Sequence, residues 1–259
     1  MTPWQSADRP RARVGRAIEV HDSIPSTNDR ARELIAAGII GRAVVAEVQT
    51  AGRGRRGRTW ASPPGANLTL SIGIDLGIRA RDAWQLAAAA GLAVRDACLA
   101  VAPLGLKWPN DIVSAEGHKV GGVLIETSID GEVVTSAVIG IGLNVNWPRS
   151  EMPDEIRDHA TSLAELNGRP IARETLLADL LDALDREVVA MEGGRSPLDR
   201  YRAACTTLGA EIEVDTGDRR VVGRAIDLDA GGALVVESGG RRERLASGEI
   251  VRLRAVTAA

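Results

Sequence analysis

Residues 46–60 read AEVQTAGRGRRGRTW. Four arginines (Arg53, Arg55, Arg56, Arg58) are interleaved with Gly52, Gly54 and Gly57, in a chain whose formal net charge is only -3. The positive charge is therefore local. Glycine admits φ > 0 and lets a backbone come close to a ligand. Arginine supplies forked donors that match phosphate and carboxylate oxygens. The combination predicts a loop that wraps a small anion. Gly52–Gly57 also satisfies G-x-G-x-x-G, but that fingerprint must open a helix, and Pro63-Pro64-Gly65 blocks one. No Gly-Lys-Ser/Thr follows, so the segment is not a Walker-type phosphate loop. RNA-binding arginine–glycine tracts are usually long and disordered, whereas this one is short and lies between strand-like runs at 43–49 and 67–76.

Outward from the loop, residues 14–21 are expected to form a first strand. Ser26, Thr27 and Asn28 can cap a helix over 28–37, with Gly38 as its stop. Leu86, Ala90, Ala93, Val94 and Ala97 recur at helical spacing within 82–101. Residues 104–113 read as a strand interrupted by the proline of Lys-Trp-Pro-Asn-Asp. Asp130-Gly131 is a two-residue hairpin signal between the apolar runs 119–129 and 132–141. Residues 173–191 form an amphipathic helix, with a shorter one at 197–204. Beyond about residue 209, short β-like runs alternate with Thr-Gly-Asp, Ala-Gly-Gly and Ser-Gly-Gly turns. Hairpin-connected strands mixed with helices give an α+β class. The division expected is a disordered N-terminus over 1–13, a main domain over 14–206 and a small β-barrel over 207–259.

An apolar fraction of 44% and a charged fraction of 26% are those of an ordinary globular protein. No apolar run approaches the roughly 20 residues of a membrane span. The first residues lack the apolar stretch of a secretory signal. Cys98 and Cys205 make neither a disulfide framework nor a metal pattern and read as buried thiols. These features favour a cytoplasmic protein without membrane contact. The negative net charge argues against broad nucleic-acid binding. His21, His118 and His159 are scattered, and no cluster of ligands suggests a protein-held metal.

Further segments carry a resemblance. With the loop, PSTND (25–29), GANLTLS (65–71), LKWPNDI (106–112), HKVGGVLIE (118–126) and VIGIGLNVN (138–146) resemble the biotin–protein ligase family in order and spacing. The pair GRGRRGR-x-W and KWPND is highly specific. The resemblance implies a mixed sheet flanked by helices, of the class II aminoacyl-tRNA synthetase/biotin ligase type, with a C-terminal SH3-like barrel. It implies a ligase that condenses biotin with MgATP to biotinyl-5′-adenylate. The biotinyl group then passes to one lysine of a biotin carboxyl carrier domain.

On that resemblance Arg53, Gly54 and Arg55 retain the adenylate, and Lys119 bridges the biotin carboxylate and the α-phosphate. Ser26, Thr27, Asn28 and Gln49 contact the biotin head, whose ureido group suits hydroxyl and amide partners. Gly52, Gly121 and Gly122 belong to the biotin site. Gly121 stands where the family usually has a larger small residue such as Ala. Arg56, Trp60, Lys107, Asn110 and Asn144 fall to the nucleotide. Asp111 acts through a magnesium-bound water or by holding the acceptor lysine. Gly248-Glu249 fits the family's ending. The first motif begins at residue 25, too early for a preceding winged helix, so no DNA binding is expected.

Two expectations go beyond the motifs. A strand near 132–145, taken as exposed, suggests pairing in a homodimer. Mutual repulsion of four adjacent arginines predicts a loop that is mobile until a phosphate neutralises it. The competing readings are a lipoate or octanoate ligase or transferase of the same fold, an arginine-loop nucleic-acid-binding module, and an interaction protein built on the barrel.

Overall fold

The computed structural model describes residues 9–254, preceded by Trp4 and Ala7. Its larger sheet contains β1 (Ala17–Ile24), β2 (Arg42–Gln49), β3 (Leu68–Arg79), β4 (Gly105–Lys107), β5 (Asp111–Val113), β6 (Lys119–Asp130) and β7 (Val133–Leu143). Their spatial order is β1-β2-β3-β7-β6-β5-β4. β1 and β2 are parallel, joined through helix α1 (Thr27–Ala36), and the remaining neighbours are antiparallel. The helices α2 (Trp84–Ala97), α3 (Asp154–Arg157), α4 (Leu163–Asn167), α5 (Arg173–Glu192) and α6 (Leu198–Ala204) complete this part. It is the α+β arrangement that the hairpin-rich pattern called for.

Strict alternation gives the sheet two unlike faces. Leu68, Leu70, Ile72 and Ile74 of β3 join Ile139, Ile141 and Leu143 of β7 in the main core. Leu86, Leu92 and Val94 of α2 and Leu177, Leu180 and Leu184 of α5 pack into the same core. Each such burial is worth about 1.5–3 kcal/mol. On the opposite face, β3 presents Thr69, Ser71 and Gly73, and β7 presents Val138, Gly140 and Gly142. Helix α1 covers one end of that face, where Ala31 and Leu34 pack on Val44 and Val138. The remainder is open beside the α1 N-terminus, and there the cavity lies.

Ser26 starts α1 because its backbone is extended and its Oγ accepts from the Asp29 N–H. Such a cap is worth about 1 kcal/mol. The chain leaves the helix through Gly38 at φ +73°, a conformation other residues adopt with strain.

A second, antiparallel sheet holds β8 (Glu211–Asp215), β9 (Arg220–Leu228), β10 (Leu234–Ser238), β11 (Arg241–Leu245) and β12 (Glu249–Arg254), in the order β11-β10-β9-β8-β12. Trp108 ties it to the first part. Its backbone N–H donates to Thr207 Oγ1 and its indole N–H to the Gly232 carbonyl. Trp108 is buried, so core packing is its role.

Five expectations need correction. The first strand begins at Ala17 rather than at 14, and α2 ends at Ala97 rather than at 101. The segment 104–113 is a hairpin, β4 and β5, reversing through Trp108-Pro109 instead of one interrupted strand. The strand at 132–145 is not an exposed edge, although its first residues, Val133 among them, reach solvent. β7 lies between β3 and β6 with both edges paired, because its Ile139–Ile141–Leu143 face is needed in the core. It offers no free edge to a second copy. The disorder expected through residue 13 does not hold for residues 9–13. The Arg11 side chain is almost fully covered and pairs with Asp182, and Asp185 accepts from the backbone N–H groups of Ala12, Arg13 and Val14. Trp4 and Ala7 are likewise buried in the main core, and the other residues of that expected segment lie outside the described residues.

Candidate active site

A cavity of about 850 Å³ occupies the open part of the polar sheet face. The arginine loop, the β4–β5 hairpin, the start of β6 and the Gly248–Val251 segment of the second sheet all border it. It brings together Ser26, Thr27, Asn28, Gln49, Arg53, Gly54, Arg55, Arg56, Trp60, Lys107, Asn110, Asp111, Lys119, Gly122 and Asn144.

Its floor is bare backbone. Thr69 lies opposite Gly142 and Ser71 opposite Gly140 across β3 and β7. Gly122 and Leu124 of β6 continue those two rows. A Cβ on Gly142 would meet the Trp60 ring at 2.4 Å, and one on Gly140 would meet Asn28 Oδ1 at 2.3 Å. Only glycine lets those side chains settle against the strand. The sequence reading of Gly140-Ile141-Gly142 as a close approach within a strand is thus the observed one.

Two glycines assigned to biotin contact do not border the cavity. Gly121 pairs with Leu143, on the core face, and a Cβ there would come within 2.6 Å of the Gly142 carbonyl oxygen. A larger residue at Gly121 would have to shift the paired strand. Gly52 is needed because a Cβ would lie 2.5 Å from the Trp60 carbonyl oxygen. Both shape the site without forming its surface.

One end of the cavity is a directed hydrogen-bond chain. The Thr27 N–H donates to Gln49 Oε1 at 2.7 Å. The Thr27 hydroxyl has one proton to share between Gln49 Oε1 and Ser71 Oγ. Ser71 donates to Asn28 Oδ1 at 2.6 Å, and Asn28 Nδ2 donates to Glu126 Oε2 at 3.0 Å. Glu126 also accepts from Arg32 and lies 3.6 Å from Arg53. Arg53 grips Asp29 with two parallel bonds of 2.8 and 2.7 Å. The Arg53 guanidinium beside Asp29 holds that carboxyl well below the usual carboxylate range. The small-residue cluster and the arginine loop are thus wired together through Asn28, Glu126 and Asp29.

The other end is cationic. Lys119 Nζ lies 2.6 Å from Asp111 Oδ1 and arches over the bare Gly122 backbone. Arg55 donates to Asn110 Oδ1 at 2.9 Å, while Asn110 Nδ2 holds the Val123 carbonyl. Lys107 donates to the Ile250 carbonyl of β12. Burial lowers the pKa values of Arg55 and Lys107, which marks both as cations poorly served by solvent and ready for an anion. Asn144 is buried and donates to the Thr161 carbonyl.

The loop's charges are not left to repel one another, contrary to the expectation from charge alone. Arg53 has Asp29, Arg55 has Asn110, and Arg56 and Arg58 both reach Glu249 of β12. Carboxylates from α1 and β12 and the Asn110 amide of the β4–β5 turn hold the loop's side chains in place.

Sequence reasoning missed Asp29, Thr69, Ser71 and Glu126. The signal existed for two of them. In GANLTLS, polar Asn67, Thr69 and Ser71 alternate with leucines, and polar positions at period two in an otherwise apolar strand mark a face that needs partners. Thr69 Oγ1 and Trp60 Nε1 are buried at the cavity without a hydrogen-bond partner. Leaving such a group unpaired costs about 1–3 kcal/mol. Among the described residues no three His, Cys, Asp or Glu side chains group as a metal cage.

Comparisons with known proteins agree with this geometry. The biotin/lipoate A/B protein ligase family matches residues 20–144, and the biotin protein ligase C terminal domain matches residues 207–253. The chain is 37% identical over 249 residues to the biotin--[acetyl-CoA-carboxylase] ligase of Mycobacterium tuberculosis, covering 92% of this chain and 90% of that one. It is similar to the structure of the Aquifex aeolicus biotin protein ligase in complex with biotin and ATP, with a TM-score of 0.76, 30% identity and coverage of 92% and 99%. It is also similar to the Leishmania major biotin protein ligase in complex with biotinyl-5-AMP, with a TM-score of 0.56, 28% identity and coverage of 89% and 98%. With identity sustained along nearly the whole of both chains and the same two modules in the same order, this chain belongs to the biotin protein ligase family.

Proposed function

We propose that the protein activates biotin with MgATP and transfers it to a lysine of a biotin carboxyl carrier domain. One observation carries the reading. A single cavity joins a hydroxyl and amide cluster at Thr27, Asn28 and Gln49 to a cationic end at Lys119, Arg55 and Lys107. The first suits a ureido ring and the second a carboxylate meeting a phosphate.

A carboxylate does not condense with an amine in water, because its charge repels nucleophiles and oxide is a poor leaving group. Attack of the biotin carboxylate on the ATP α-phosphorus forms a mixed anhydride and expels pyrophosphate. Two anions must meet, and charge grows on the α-phosphate, so fixed cations lower that barrier most. Lys119 spans the two anions. Arg53 and Arg55 close over the product, and Trp60 walls the site. Asn110, Asn144, Lys107 and Arg56 serve the nucleotide. Magnesium would be held chiefly by the nucleotide phosphates, with Asp111 as the carboxylate at hand. In the second step the acceptor amine attacks the acyl carbon and AMP leaves. Asp111 beside Lys119 can orient that amine.

The main module spans 14–206 in this reading, and the second, expected over 207–259 and described to residue 254, contributes Gly248–Val251 to the rim. The acceptor belongs to a biotin-dependent carboxylase, which is met together with ATP in the cytoplasm. Among the described residues no helix is long and apolar enough to cross a membrane.

Purified protein with ATP and magnesium should label a carrier domain with biotin. Lipoate, which has no ureido group for the Thr27–Gln49 cluster, should not serve. Labelling by lipoate and not by biotin contradicts the reading.

A further inference from the structure

We propose that the Thr69 hydroxyl is a specificity-determining contact for the ring sulfur of biotin; this rests on the biotin reading above and deepens it. Thr69 is 4% exposed, and its Oγ1 has no partner in the protein although it borders the cavity. Its two neighbours on the same strand face are both engaged. Asn67 accepts from the Val145 N–H, and Ser71 bonds Thr27 and Asn28. Thr69 is the polar group on that strand face whose hydrogen bond is left for a ligand.

Its position says which part of the ligand it meets. Ser71 lies in the cluster suited to the ureido group, and Thr69 is one strand repeat away, about 7 Å along β3. Lys119 arches over Gly122, which shares a cross-strand row with Gly142 and Thr69. Two strand spacings, about 10 Å, separate Thr69 from that row's far end. A biotin with its ureido ring at the cluster and its carboxylate at Lys119 therefore lays its second ring beside Thr69. The one heteroatom of that ring is a thioether sulfur. A hydroxyl can donate to thioether sulfur, a weak acceptor. The cross-strand partners of Thr69 are Ala46 of β2 and the bare Gly142 of β7, over which the Trp60 indole lies, so neither partner's side chain competes for the proton. A ligand with carbon in place of sulfur would leave the hydroxyl buried and unpaired, and sites of this kind discriminate against such ligands.

The test measures binding of biotin and of dethiobiotin, which lacks the sulfur, to wild type, Thr69→Val and Thr69→Ser. Thr69→Val should weaken biotin binding about three- to tenfold, the effect of one neutral hydrogen bond. Its affinity for dethiobiotin should stay as in wild type. Thr69→Ser keeps the hydroxyl and should keep the preference for biotin. The ligand-free Thr69→Val protein should melt no lower than wild type, because it loses an unpaired buried hydroxyl. Equal losses for both ligands, or no loss for biotin, overturn the proposal while leaving the biotin reading intact. A wild-type protein that binds neither ligand overturns the biotin reading itself.

Discussion

Arg55 differs from its three neighbours in the loop. It is held by a neutral amide, Asn110, whereas Arg53, Arg56 and Arg58 are held by carboxylates. Its charge is therefore the least compensated, and burial already lowers its pKa. On the proposed reading, an adenylate phosphate is the partner it lacks. Arg55→Gly should release biotinyl-adenylate roughly 10- to 100-fold faster, the worth of a charge-assisted hydrogen bond. The check is the dissociation rate of pre-formed intermediate from the variant. A second residue-scale expectation concerns Gly142. Gly142→Ala would drive a methyl into the Trp60 ring, so the indole must leave its place. Adenylate synthesis should fall at least tenfold and Trp60 fluorescence should change, whereas an unchanged spectrum and rate would show the wall to be dispensable.

Among elements, α1 matters most, because it supplies the cap residues, Asn28 and Asp29 to the site. Its anchor on β1 is Glu19. The Arg30 guanidinium, bonded to Glu19, lowers that carboxyl from an ordinary 4.5 to about 2, with His21 adding to the effect. The stabilisation is present above pH 4.5 and is lost as pH falls toward 2, because the folded protein holds the charged form more tightly than the unfolded chain does. Solvent screening limits the pair to about 1 kcal/mol. Glu19→Gln should lower the melting temperature by about 2–4 °C at neutral pH, and melting curves of the two proteins should converge near pH 2. The helix and its cap were legible in Pro-Ser-Thr-Asn-Asp, because capping is written in side-chain type. The first strand was misplaced by three residues, since parallel pairing with β2 sets its register and no local signal carries that. The β7 edge was misread for a related reason. Apolar alternation shows that one face is buried, but it does not say how many neighbours the strand has.

On the scale of the whole molecule, the two modules share one site. Lys107 reaches the Ile250 carbonyl, Trp108 bonds Thr207 and Gly232, and Glu249 receives two loop arginines. A Cβ on Gly232 would meet the Trp84 ring at 2.4 Å, so the second module also packs on α2. Contacts this close predict one cooperative thermal transition for the chain. Two resolved calorimetric transitions would show the modules to be independent. Most of the cavity's polar lining was legible in the motifs, which name residues far apart in sequence that meet in space. Asp29 and Glu126 were not legible. Their role comes from facing Arg53, and one sequence does not say which acid an arginine will meet.

On the proposed reading, Lys119, arching over Gly122, lets the biotin carboxylate attack ATP. Pyrophosphate exchange into ATP measures that step without a carrier protein. Wild type should show exchange that depends on biotin, and Lys119→Ala should lose at least 10²- to 10³-fold, the scale of removing one positioned charge-stabilising group. Exchange in Lys119→Ala at the wild-type rate, or exchange in wild type driven by lipoate and not by biotin, would contradict it.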